Sequence, residues 1–293
     1  MQEINFFLPG FTNNLRINLA FVECLNQHRE CFYDNIKIAS FFDSFPNAIW
    51  NGGRCKFGKI DITKFQKIVD LVNSLGIAIR YTFTNCLIRE EHLSDKYCNK
   101  LMSISNNGMN EVLVNSPILE RYLRSRYPNF KYILSTTTLT RGAQSINELC
   151  EKYDLVVADY RDTHNYNFLQ EIVRRDKVEI ILNESCVLNC AYRRNHYEEI
   201  SRAQLLFRET AASKRCMYQD TSQFREAYVS TDMLYCMLVP MGYVNYKIRG
   251  RESNAIKLTN EYLSFFVKPQ YKYDVKKYIE KSSFTNIGWI ITS

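Results

Sequence analysis

A (β/α)8 barrel of the TIM type is the fold this sequence predicts, and three observations predict it. Short β-rich runs recur eight times along the chain, amphipathic helical segments fall between them, and the residues just after the runs are polar. A parallel sheet wrapped by helices needs that alternation, and its ligand-facing strand ends carry such polar groups. A doubly wound open sheet would use the same alternation and is the second reading.

The strand-like runs are Ile4 to Leu8, Ile36 to Phe42, Ile77 to Phe83, Glu111 to Asn115, Lys131 to Ser135, Leu155 to Ala158, Val178 to Leu182 and Val244 to Ile248. Between the second and third, Ile62 to Leu75 places Phe65, Ile68, Val69 and Val72 at helical spacing, and Gly76 follows as a stop. Ser116 and Pro117 form an N-cap and first-turn pair that opens another helix. Tyr197 to Phe207 reads as a helix in the long connection before the last strand, and Tyr271 to Lys281 as one in the tail. No linker or low-complexity stretch interrupts the pattern, so residues 1–293 are expected to form a single domain. Residues 268–293 are its C-terminal extension, for packing or for a protein partner.

Hydrophobic residues make up 46% and charged residues 24% of the chain, the balance of a globular protein rather than a disordered one. The net charge of +7 is spread evenly, +4 over residues 1–150 and +3 over the remainder. That suits a small anionic substrate and is compatible with RNA, though no basic tail favours the latter. The start lacks a positive n-region, and the longest later apolar stretch, Met233 to Val244, is twelve residues with Pro240 inside it. A secretory signal and a membrane span are therefore not expected, and a cytoplasmic location is. In that compartment the ten cysteines should be thiols or metal ligands rather than disulfides.

Cys186 and Cys190 form a C-x3-C pair just after the seventh run, among Asn183, Glu184, Arg193, Arg194 and His196. Two thiols so spaced can turn toward one centre on a helical or tightly turned backbone, and a soft metal or iron–sulfur cluster is the usual reason to gather them. Two packing thiols are the alternative. Cys216, beside Lys214 and Arg215, is the third ligand candidate because positive neighbours stabilise thiolate. Cys55, after Gly52 and Gly53, is the fourth; His196 could replace it. Cys24, Cys31, Cys150 and Cys236 read as core thiols. Cys86 could face the mouth.

On the last run, Lys247, Arg249 and Arg251 share one face, while Tyr246 and Ile248 point the other way. These cations could clamp an anion or pair with nearby acids to close the barrel. Asp159-Tyr160-Arg161-Asp162 offers an acid or an ion pair, and an Asp there could take a proton if burial raised its pKa. No serine-hydrolase elbow, Walker loop, dinucleotide fingerprint or H-E-x-x-H motif occurs.

Tyr246-Lys247-Ile248-Arg249-Gly250-Arg251, the Cys186/Cys190 pair and Cys55 together resemble the collagenase-like peptidase superfamily, whose relatives include oxygen-independent hydroxylases of ubiquinone precursors and RNA bases. The resemblance implies a TIM-barrel-like domain whose four cysteines hold a [4Fe-4S] cluster, with hydroxyl transfer to an aromatic ring. Three departures stand against it. Arg249 replaces a Glu, the third cysteine follows the pair instead of preceding it, and the C-terminal domain of the RNA-modifying members is absent.

The expected function is an iron–sulfur hydroxylase-like enzyme acting on a small anionic or aromatic substrate. Its metal ligands are Cys186, Cys190, Cys216 and Cys55, its catalytic residues Glu184, Asp159 and Arg193, and its substrate contacts Asn183, Lys247, Arg249 and Arg251. A collagenase-like peptidase and a non-catalytic barrel with structural zinc at Cys186, Cys190, Cys216 and His196 are the alternatives.

Overall fold

The computed structural model describes residues 2–184, 186–188, 190–210, 227–251, 253–282 and the backbone of 291–292. Strands β1 (Ile4–Pro9), β2 (Ile36–Asp43), β4 (Ala78–Phe83), β5 (Glu111–Val114), β6 (Lys131–Leu134), β7 (Leu155–Val157), β8 (Val178–Ile181) and β9 (Asn245–Lys247) form a closed barrel in that order. All neighbours are parallel, and β9 pairs back onto β1 through Phe6↔Tyr246 and Phe7↔Lys247, which excludes the open sheet. A helix follows each strand: α1 (Leu15–Gln27), α2 (Ile62–Ser74), α3 (Lys96–Ile104), α4 (Pro117–Arg126), α5 (Ala143–Cys150), α6 (Tyr166–Glu171), α7 (Arg193–Leu205) and α8 (Ala255–Phe266). The chain is a (β/α)8 barrel.

Local signals fix these elements. The Asp61 carboxylate accepts the Thr63 and Lys64 amides to start α2, and the Ser116 hydroxyl accepts the Leu119 amide with Pro117 in the first turn of α4. Helix α7 begins at Arg193, before the expected Tyr197, and the Arg193 side chain makes buried contacts at the mouth. The tail helix α9 (Lys272–Lys281) packs on α1, with Tyr278 donating to Gln27 and Ser282 to Glu23. Beyond it, β10 (Ile291–Thr292) pairs antiparallel with β3 (Lys59–Ile60), a ribbon too short to be read in sequence. No helix among the described residues is long and apolar enough to cross a membrane.

Strand alternation divides the core in two. Phe6, Leu8, Phe41, Tyr81, Phe83, Val112, Tyr132, Ile180, Tyr246 and Ile248 face the helices in the main cluster. Leu113, Ile133, Val157 and Ile181 make a small separate cluster inside the barrel. The rest of the lumen is charged. Arg80, fully buried, donates to Glu111 at 2.7 Å and also to Glu179, and its guanidinium lies 4.0 Å from the Phe7 ring centre. Lys247 completes the set, 3.4 Å from Glu179 and 4.2 Å from the Phe42 ring centre.

The thiols follow the expectation in part. Cys24, Cys98 and Cys150 are buried and Cys31 is half-buried, but Cys236 is exposed. It lies in a π-helical turn, Met233–Leu238, of which Leu234 and Leu238 are buried; the wider turn carries Cys236 out to solvent.

Candidate active site at the carboxyl end of the barrel

Three groups of side chains occupy the strand ends. The first joins β1, β2, β4 and the segment after β9. Asp43 is buried and accepts from the Thr12 amide and hydroxyl and from Lys56, while the Ser44 amide donates to its other oxygen. Above it, Arg251 donates through Nη1 to Ser44 Oγ at 2.8 Å and Thr82 Oγ1 at 2.9 Å. The loop after β2 is drawn over these groups by Asn51, whose side chain bonds both the amide and the carbonyl of Phe45. Gly52 is required there, since a Cβ would lie 2.3 Å from the Thr84 carbonyl, and the neighbouring Gly53 sits against Arg251.

The second group centres on Asp159, at the end of β7. Its buried carboxylate receives two bonds from Arg193 Nη1, at 3.0 and 2.9 Å, and two from the Arg161 guanidinium, at 2.9 and 2.8 Å. Burial alone would raise the pKa of Asp159, yet the bonds from Arg161 and the charge of Arg193 outweigh it and hold the carboxyl below its ordinary value. Asp159 is thus fixed as an anion that positions arginines, and the expected proton-accepting role loses its physical basis. Arg193 also lies over the Tyr160 ring at 4.3 Å and beside Tyr197 and Thr136. Asp162, itself buried, pairs with the more exposed Arg141 and accepts the Gly142 amide.

The third group laces β8 to β9. Asn183 donates to the Arg249 carbonyl and accepts the Arg249 amide, so both ends of its side-chain amide hold backbone. Glu184 accepts from Arg249 Nη1 at 2.7 Å and from the Cys186 amide at 3.0 Å. Arg249 therefore contacts an acid, as the barrel-closing alternative anticipated. Lys247 does likewise with Glu179, and it lies deeper than Arg251, inside the lumen.

The thiols are divided. Cys186 and Cys190 share one turn, closed by the Cys190 amide on the Val187 carbonyl, and the Cys186 thiol is within reach of the Tyr160 hydroxyl. Cys55 lies against α7 instead, with its sulfur 3.4 Å from the Ile200 carbonyl, and Cys86 Sγ is 3.3 Å from Ser201 Oγ on the same helix. Among the described residues no three His, Cys, Asp or Glu side chains are gathered so as to hold a metal ion, and Cys55 is not brought to the pair. Cys216 lies outside the described residues. A [4Fe-4S] cluster takes four thiolates, and the described mouth offers two in one turn.

Tyr160 and Tyr197 escaped the sequence reading. An aromatic after a strand, as Tyr160, or on a helix, as Tyr197, looks like core, and only the contact with the Arg193 guanidinium marks these two as part of the mouth.

No protein family matches the sequence, and no curated protein matches it. Among solved structures, the barrel is similar to the U32 peptidase Mk0906, with a TM-score of 0.49 and 11% identity over 85% of this chain and 93% of that one. A likeness at that level carries nothing about chemistry.

Proposed function

We propose that this chain is a (β/α)8 enzyme that binds a small anionic substrate at the carboxyl-end mouth, with Arg193, Arg161 and Arg251 facing its charge. The observation that carries the reading is the charge balance at Asp159, where one carboxylate serves two guanidinium groups. The surplus positive charge sits at the face where barrels of this class bind ligands. Arg193 bonds Tyr197, Asp159 and Thr136 and adds its charge from beneath, while the more exposed Arg161 presents the guanidinium suited to a carboxylate or phosphate.

Small carboxylates and inorganic phosphate, screened by calorimetry against the whole protein, test this. Binding that weakens about tenfold or more in Arg193→Ala, with the fold retained, is the expected result, given about 1.5–3 kcal/mol for each charge-assisted hydrogen bond. Equal binding in a folded Arg193→Ala protein would overturn it.

The finer reading, iron–sulfur hydroxylase-like chemistry on an aromatic substrate, rests on Cys186 and Cys190 with Cys216 as the next ligand. Anaerobic purification followed by iron, sulfide and zinc analysis separates that cluster from structural zinc and from a metal-free mouth. The collagenase-like peptidase alternative gains no support from the side-chain arrangement among the described residues.

A further inference from the structure

The lumen beneath the mouth holds a feature that anion binding does not use. Barrel interiors of this class are filled mainly by branched aliphatic side chains, yet here Arg80, Glu111, Glu179 and Lys247 occupy that space. Three of the four have places that packing explains: Arg80 spans the lumen and ties Glu111 to Glu179. Lys247 stands at the upper edge. Register pairs Glu179 with Asn245 and Ile181 with Lys247, so the lysine projects one inward step nearer the carboxyl end than its partner.

We propose that Lys247 forms an imine with the carbonyl carbon of a small anionic aldehyde or ketone, such as a 2-oxo acid, whose anion lies against Arg251. The inference rests on the anion-binding reading above and assigns it a substrate class. The ammonium has one carboxylate, Glu179, and the face of Phe42 as its immediate surroundings, with the cations Arg80 and Arg251 close by. Burial first, and then those two cations, push the Lys247 pKa down to about 8 against the opposing pull of Glu179. A desolvated lysine next to other cations is the environment that frees an amine to attack a carbonyl.

The step balances without a co-reactant. Water takes the proton that leaves the ammonium, since Glu179 is held as an anion, and the neutral nitrogen attacks the carbonyl carbon. The C=O electron pair moves to oxygen, which is protonated to a carbinolamine. The hydroxyl takes up the proton first released, the nitrogen lone pair expels it as water, and a protonated C=N remains. No oxidation or reduction occurs.

Borohydride reduction in the presence of glyoxylate tests the proposal on the whole protein. The expected result is a carboxymethyl group on the Lys247 peptide, about tenfold or more above any other lysine, dependent on both reagents and suppressed by lactate, which has no aldehyde or ketone group to trap. Peptide mapping of the unmutated protein needs no variant that could misfold; Lys247→Met, where folded, should lose the adduct. Lactate or phosphate binding without a Lys247 adduct would overturn the imine and leave the anion site standing. Binding of neither anion, with no adduct, would overturn both. Labelling spread evenly over surface lysines would also overturn the imine.

Discussion

Removing the central cation of the lumen tests the energetic reasoning most severely. Arg80 is fully buried and bonds two carboxylates, Glu111 at 2.7 Å and Glu179 beside it, so Arg80→Met replaces a cation by an apolar side chain of comparable length. Glu179, itself fully buried, would keep only Lys247 at 3.4 Å. Breaking one side of a buried pair costs about 3–5 kcal/mol, because a charge is left without its partner. Urea denaturation at pH 7 should show that loss. The pH dependence gives a second check. In the native protein burial opposes ionisation of Glu179, but Arg80 and then Lys247 hold its pKa below the ordinary 4.5. Its contribution is therefore fully present above pH 4.5 and is lost as pH falls through the lowered native value. In Arg80→Met the burial effect dominates and the pKa rises, so acidification protonates Glu179 and relieves the penalty. The destabilisation should shrink as pH falls, and Arg80→Met/Glu179→Gln should recover part of it at pH 7. A loss under about 1 kcal/mol, or one unchanged with pH, would refute the reasoning.

Other consequences are more local. Asp159→Asn should lower stability by about 3–5 kcal/mol, since Arg161 and the buried Arg193 lose their shared anion; an unchanged urea denaturation midpoint would contradict it. Gly52→Ala places a Cβ 2.3 Å from the Thr84 carbonyl and should cost about 1–3 kcal/mol, read as a lowered denaturation midpoint; a neutral effect would mean that the loop yields freely. A thiol reagent at pH 8 should modify exposed Cys236 early, whereas Cys24, whose pKa burial pushes up to about 12, and Cys150, pushed up to about 11, should react only on unfolding. An unchanged fast phase in Cys236→Ser would contradict the assignment.

The barrel was legible because its signals are local and repeated. Each run from Ile4 to Val244 alternates in a way the backbone must obey, and Ser116 with Pro117 is a local signal that opens a helix. Closure could not be read that way, since it depends on β9 meeting β1 across 240 residues. The polar strand ends were likewise visible in sequence, and Asp159, Glu184, Arg193, Arg249 and Arg251 do lie at one face.

By itself, then, the sequence determined the eight strands, their order of faces and the end of the barrel on which charged residues collect, because side-chain period and turn chemistry act over a few residues. Which charges meet was decided only by the tertiary structure. Asp159 is held as an anion by Arg193 from a different element, Cys55 is placed against α7 rather than beside Cys186, and Lys247 is set beneath the mouth against Glu179. Electrostatic partners and burial are properties of distance through space, and a strand's alternation specifies the face of a side chain but not its neighbour across the barrel.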